Sequence, residues 1–588
     1  MDRRFVGILT VAGVLFVRAA FAGDGSEPGR LVKERPTLVC LGVRWYVKGD
    51  ANKNGRVEVR YRKPAVDPNA EAAEWKRGMD LFKTGPKWSK FSAPADGETL
   101  YAGSVFYLDE GTEYELKLNL IDPDGGDTEK IVRMKTKPEP KLGEGLPLRT
   151  FYVAPGNGGG TGTEDDPFKG LKAADAAAKP GDLFLVRKGV YKATWTITKN
   201  GTPGKPIVWR GAGDGEAVID GSHHAKPPER GVSMSGVHDV WLENLSVRHA
   251  KWGIVNHEGQ RTVFRRVKTY KTQYGWTATR HTRAKPCLDI YISDCSMTGP
   301  STWPRTKGIE GARGIQISGM GHTIRYSHFK GFADAIDTFR SEMCAAIDIY
   351  RNEIDTMTDD GIECDYSNHN VRCFENRMTN IFQGITTQPT FGGPIYIFRN
   401  VMYNLQVETF KMHNGSTGCL MLHNTSVKKG MPLVLWSGAT VENCVYRNNI
   451  FVGTSANYGY ESTAPMKRCD FDYDGYGGEW KQFIKWNRKR YDTMAELKNG
   501  PVYRNAVRLD PATVFKAGDM RPKDVKKHHP IKENDLRLSE ESKAVDAGAR
   551  LFNINDGFKG EAPDLGAYEF GSELPHYGPR KKTAGAND

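Results

Sequence analysis

Five short runs share one pattern: Arg313-Gly314-Ile315-Gln316, Asp334-Ala335-Ile336-Asp337, Asp360-Gly361-Ile362-Glu363, Gln383-Gly384-Ile385-Thr386 and Glu408-Thr409-Phe410-Lys411. Each places a small residue, then an apolar one, then a polar one, and successive runs start 21, 26, 23 and 25 residues apart. Read as strands, they turn alternate side chains to opposite faces. With Ile315, Ile336, Ile362, Ile385 and Phe410 inward, one outward column reads Gln316, Asp337, Glu363, Thr386, Lys411. The next outward column reads Ser318, Phe339, Asp365, Gln388, His413. Parallel neighbours lie about 4.8 Å apart, so Asp337 and Glu363 are expected to face each other at roughly that distance. Two carboxylates so close disfavour joint ionisation, so either one keeps a proton or a cation sits between them. Both arrangements suit acid–base or metal-assisted chemistry. The acids gather on two runs and the candidate bases on a third, the pattern of a site rather than of a solvated stripe.

The positioning elements follow from a second marker, Ser327, Asn352, Asn376, Asn400, Asn424 and Asn448, spaced 25, 24, 24, 24 and 24 residues apart. A fixed period of this size signals stacked repeats. One coil of about 24 residues holds three strands of about five residues with their turns, which predicts a right-handed parallel β-helix. The asparagines are expected to stack at one bend, each amide bonding the bend of the next coil. Thr150–Pro155 opens this region, and residues 167–179 have the spacing of a short helix that covers its first coil. Gly201-Thr202-Pro203-Gly204-Lys205-Pro206-Ile207 resembles a first-coil turn of secreted β-helix lyases, and Pro563-Asp564-Leu565-Gly566-Ala567-Tyr568-Glu569 resembles the closing motif of secreted bacterial β-helix proteins. On these features residues 150–571 resemble the pectate-lyase-like superfamily of carbohydrate enzymes.

That resemblance implies two sets of roles. Asp334 followed by Asp359-Asp360 looks like the acid arrangement of polygalacturonases, which spread three aspartates over two coils; where those enzymes carry a His on the next coil, this chain has Phe382-Gln383. In the similar chondroitinase B and alginate lyase family, acidic residues hold calcium while Lys and Arg act beside them. On that likeness Asp337, Glu363 and Asp365 are assigned to Ca2+, Lys411 to the base with His413 as its substitute, and Arg340 to the substrate carboxylate. Arg313, Gln316 and Gln388 on the outward face, with Trp276 and Trp303 in two long excursions (Tyr270–Pro286 and Ser296–Ala312), are expected to bind substrate. Those excursions mix aromatic residues with cations, among them Tyr274, Arg305 and Lys307.

The chain has 588 residues with 83 Lys and Arg against 71 Asp and Glu, a net charge of +12. The surplus suits a polyanion. No basic helix, zinc pattern or nucleic-acid fold signature accompanies it, which favours an acidic polysaccharide over nucleic acid. Residues 1–22 read as a secretory signal: Arg3 and Arg4 precede an apolar run, and Ala20-Phe21-Ala22 suits cleavage. No later stretch is long and apolar enough to span a bilayer. Residues 23–36 are expected to be a linker. Residues 37–138 alternate as a small β-sandwich in which Leu108–Tyr114 resembles the fibronectin type III corner, 139–148 read as a second linker, and 572–588 as a loose tail. Nine scattered Cys give neither a disulfide framework nor a zinc spacing. Asp470–Gly475 imitates the start of an EF-hand loop, with Lys481 where that loop needs Glu.

The leading expectation is therefore a secreted, monomeric, all-β polysaccharide lyase. A glycoside hydrolase using Asp334, Asp359 and Asp360 is one alternative; a non-catalytic glycan-binding β-helix is the other.

Overall fold

The computed structural model describes residues 23–65, 72–305, 311–341 and 343–581. The expected signal at 1–22 and Lys307 lie outside them. Two parallel sheets of 14 and 18 strands form a right-handed β-helix. The larger sheet bends, so each coil has three walls. Glu353–Glu363, for example, pairs with His328–Phe332 through its first half and with Asp334–Thr338 through its second. Ile315, Ile336, Ile362, Ile385 and Phe410 are in register and buried. The glycine before three of them is sterically required: a Cβ on Gly314, Gly361 or Gly384 would lie 2.4, 2.8 or 2.3 Å from a carbonyl oxygen of the next coil.

The polar bend is a continuous ladder. The backbone N–H and Nδ2 of Asn352 donate to Asn376 Oδ1 at 3.1 and 3.0 Å, and Asn376, Asn400 and Asn424 each repeat the pattern on the following coil. The expected Asn448 is not a rung. The coil after Asn424 is one residue longer, so Asn449 takes the place, while Asn448 turns out at φ 59° and bonds the Ala549 carbonyl. The ladder ends on Asp474, whose Oδ1 accepts from Asn449 N and Nδ2 at 2.8 and 2.9 Å. Asp474 Oδ1 is thus a rung of the ladder, and Asp470–Asp472 is a strand rather than the start of an EF-hand loop.

Burial pushes the Asp474 carboxyl up to about 8, and its Oδ2 has no hydrogen-bond partner. The folded protein thus binds one more proton than the unfolded chain between about pH 4 and 8, and stability is lost as pH rises through that window. Asp474→Asn keeps the accepting oxygen and removes the charge. The variant is expected to be more stable than the parent at pH 8.5 by up to roughly 5 kcal/mol, with most of the gain gone at pH 4. Urea unfolding of both proteins at the two pH values checks this; equal differences at both would refute it.

The ends and flanks are closed. Helix Leu171–Ala177 buries Leu171 and Ala174 in the first coils. Residues 433–435, 456–462, 480–486 and 489–491 continue a wall of the last coils as a four-stranded sheet. Two four-stranded antiparallel sheets form the N-terminal sandwich around Trp45, Val57, Leu116 and Leu118. The stretch expected to be a linker supplies its first strand, Ser26–Lys33, because it pairs antiparallel with Leu41–Gly49. Tyr114 is buried, and its hydroxyl accepts from the Asp109 N–H at 3.0 Å.

This sandwich lies on the outer face of the 14-stranded sheet. Leu38 packs on Leu183, Val208, Trp241 and Tyr291, and Phe106 on Tyr396 and Phe398. Asp289 receives Arg35 and Lys137, and Glu34 Oε1 lies 2.9 Å from His369 Nδ1. A second wall is covered by the C-terminal segment, whose Leu536, Leu538, Leu565 and Tyr568 pack on Val401, Tyr403 and Ile450. The expected loose tail is pinned as far as Arg580, which pairs with Asp294 and Glu139 at 2.7 Å. All nine cysteines are free, and eight of them are buried. Among the described residues no helix is long and apolar enough to cross a membrane.

Candidate active site

The third wall carries the acids. Gln316, Asp337, Glu363, Thr386 and Lys411 occupy consecutive register positions, as the alternation predicts. Gln316 Nε2 donates to Asp337 Oδ2 at 2.9 Å. Burial raises Asp337 above its ordinary range. Burial followed by Asp334 and Asp337 holds Glu363 well above its own.

The carboxylates that converge most closely are a different set from the one assigned to calcium. Asp334, Asp359 and Asp360 place oxygens within 4.8 Å of one another, the one such group among the described residues. Asp365 is drawn away, since its Oδ1 accepts from Gln388 N at 2.7 Å and Thr386 Oγ1 at 3.0 Å. Convergence of the trio depends on a register shift between Met357 and Asp360, which breaks alternation and lets Asp359 and Asp360 share one side.

Cations surround this trio. Arg313 Nη1 lies 2.5 Å from Asp334 Oδ2, with its Nε 3.8 Å from Asp337 and 4.0 Å from Glu363. Lys411 Nζ donates to Asp360 Oδ2 at 2.8 Å. Arg305 Nη1 reaches Asp359 at 3.3 Å, with the guanidinium over the Phe382 ring at 3.8 Å. Arg305 is the site residue least visible in the sequence, where it reads only as one loop cation among several. Burial acts to lower Lys411, but Asp360, Asp359 and Glu363 outweigh it and hold the ammonium above its ordinary range.

Five buried or half-buried acids thus face three cations. Burial pushes Asp360 up to about 6 against the pull of Lys411, and keeps Asp334 well above the carboxylate range despite Arg313. Asp360 Oδ1 has no hydrogen-bond partner, and Asp334 Oδ2 meets Arg313 without a well-directed bond. Such a set fits a hard divalent cation, which takes oxygen ligands and supplies the missing positive charge. It fits equally a proton retained for acid chemistry.

Other expected residues lie elsewhere. Trp276 points into the core, 1% exposed and edge-on to Phe264, so it cannot meet substrate. Trp303 donates its Nε1 to the Val525 carbonyl and anchors the C-terminal segment. His413 is engaged by Glu408 at 3.0 Å. Arg340 is exposed, beside Tyr366 rather than against the acids.

No protein-family model matches the chain. Pectate lyase L of Dickeya dadantii (strain 3937) is 25% identical over 449 residues, covering 72% of this chain and 90% of that enzyme. Pectate lyase L of Dickeya chrysanthemi is 24% identical over 455 residues with the same coverage. Among solved structures, the family 28 exopolygalacturonase of Yersinia enterocolitica overlaps 75% of this chain at 11% identity and a TM-score of 0.25.

Proposed function

We propose that this chain, a member of the pectate-lyase-like parallel β-helix superfamily, is an exported lyase that cleaves a uronic-acid polymer by β-elimination, with calcium held by Asp334, Asp359 and Asp360. The observation that carries the reading is the contact between this convergent trio and Lys411, the one lysine in the cluster among the described residues. The 25% identity to a pectate lyase over most of both chains supports the substrate class.

The cation, when bound, neutralises the sugar carboxylate and acidifies the neighbouring C–H. Lys411 takes that proton on Nζ in its neutral form, after releasing its own proton to solvent, which a bound cation would favour by offsetting the field of the acids. The electron pair left on carbon forms the C=C bond as the glycosidic C–O bond breaks. The departing oxygen takes a proton from Glu363, which burial and its acidic neighbours keep protonated. Arg313 orients the carboxylate from the adjacent coil, and Gln316 holds Asp337 in place. Hydrolysis is the second reading, favoured by the raised Asp360 and Asp334 carboxyls.

Incubation with a panel of acidic polysaccharides decides between them. Elimination leaves an unsaturated, ultraviolet-absorbing product that chelator abolishes and added calcium restores. Reducing ends without absorbance, unaffected by chelator, would establish hydrolysis instead.

A further inference from the structure

The acid cluster occupies only part of the open wall. Followed upstream in register, the column of Asp360 and Asp334 passes through Arg313, Tyr274 and Trp252 to Arg230. These side chains face outward: the intervening Gly253, Gly275 and Gly314 turn toward the core, where an added Cβ would meet Thr269, Met297 and Phe329, while Trp252, Tyr274 and Arg313 stay half-exposed and Arg230 exposed. The Trp252 and Tyr274 rings stack at 3.7 Å between centroids and 12° between planes. On the covered walls, comparable stacks such as Tyr350–Phe374–Phe398 are sealed beneath the sandwich. Among the described residues the Trp252–Tyr274 pair has no such cover, and it is half-exposed. Beside it opens a cavity of about 720 Å³ lined by Ala250, Lys251, Tyr270, Lys271 and Gln273.

Each ring of a stacked pair keeps one free face. That of Trp252 looks toward the coil of Arg230, that of Tyr274 toward the coil of Arg313. Among the described residues no guanidinium lies over either ring, and Arg230 is exposed without an ion-pair partner. Resting on the uronate reading above, we infer that Trp252, Tyr274 and Arg230 form distal subsites for the polymer. One sugar ring packs on the free face of Trp252 with its carboxylate on Arg230. The chain continues past Tyr274 to the acids. Sugar C–H groups pack on aromatic faces and guanidinium groups pair with carboxylates, so this spacing selects an anionic chain. Coil separations of about 4.8 Å put Tyr274 roughly 10 Å and Trp252 roughly 14 Å from Asp334. Only oligomers several residues long reach both the platform and the cluster.

The test compares kcat/KM on a long and a short oligomer of the uronate that the wild-type enzyme cleaves. The wild type should prefer the long one. Trp252→Ala should cut that preference roughly tenfold through KM, with Trp252→Phe restoring most of it and Arg230→Gln lowering it as well. An unchanged long-to-short ratio in folded Trp252→Ala overturns the inference and leaves the lyase reading standing. Equal losses on both lengths overturn it too, as damage at a distance. A wild type that cleaves no acidic polymer refutes the lyase reading itself, and this inference with it.

Discussion

Lys411→Ala is expected to lower kcat/KM on the acidic polymer by roughly 10³-fold or more, the scale of losing a positioned general base. The fold should survive. Lys411 faces outward at the end of a two-residue strand, so truncation opens no core cavity. The change does strand Asp360, whose buried carboxylate loses its partner at 2.8 Å. Removing an ammonium from a cation site also removes a competitor, so calcium binding in this variant should be at least as tight as in the parent. Normal or stronger binding with lost turnover is the signature of the missing base. Wild-type activity should climb with pH, because the surrounding acids hold the Lys411 proton and the rate depends on releasing it. Undiminished turnover in Lys411→Ala would remove this residue from the mechanism and point to the hydrolytic reading.

Asp360→Asn should weaken calcium binding by at least roughly 100-fold and abolish turnover together, where Lys411→Ala separates the two. The substitution is nearly isosteric and neutral. Asp360 carries its charge in a buried position that already pushes it up to about 6, so the amide should cost the fold nothing. The backbone N–H of residue 360, which donates to Asp334 Oδ1 at 2.7 Å, remains. Calorimetry of metal-stripped parent and variant reads the difference directly. Retained binding in Asp360→Asn with loss in Glu363→Gln would return the ion to Asp337, Glu363 and Asp365, the set that strand alternation lines up and the lyase likeness assigns to calcium.

The difference between those two sets shows what the sequence carries. Alternation and a fixed period are sufficient to place Gln316, Asp337, Glu363, Thr386 and Lys411 in one column, because a core of Ile315, Ile336, Ile362 and Ile385 permits a single register. They fail at corners. The shift between Met357 and Asp360 leaves no composition signal, so the convergence of Asp359 with Asp334 is a property of the bend. The ladder slipped for a similar reason: one inserted residue before Asn449 moved the rung by one position. Trp276 was misplaced where a signal was present. Tyr274-Gly275-Trp276-Thr277 repeats the small–apolar–polar run and Trp252-Gly253-Ile254 its small–apolar part, which puts Trp276 in the inward column of Ile315 and Trp252 and Tyr274 in register with Arg313. Arg305 reaches Asp359 from an excursion whose path no periodicity fixes.

The covered walls bear on how this molecule can be divided. Leu183, Val208, Trp241, Tyr396 and Leu420 lie on the outside of a parallel sheet and are dry only because the sandwich and the segment leading from it lie against them. A shortened protein beginning at residue 149 would keep every acid of the cluster and every rung of the ladder. It would also present a long flat apolar strip to water, the kind of surface that drives self-association. The sandwich is therefore no detachable accessory. It works as an intramolecular shield for the coils that carry the acid cluster, although it supplies none of the cluster's side chains.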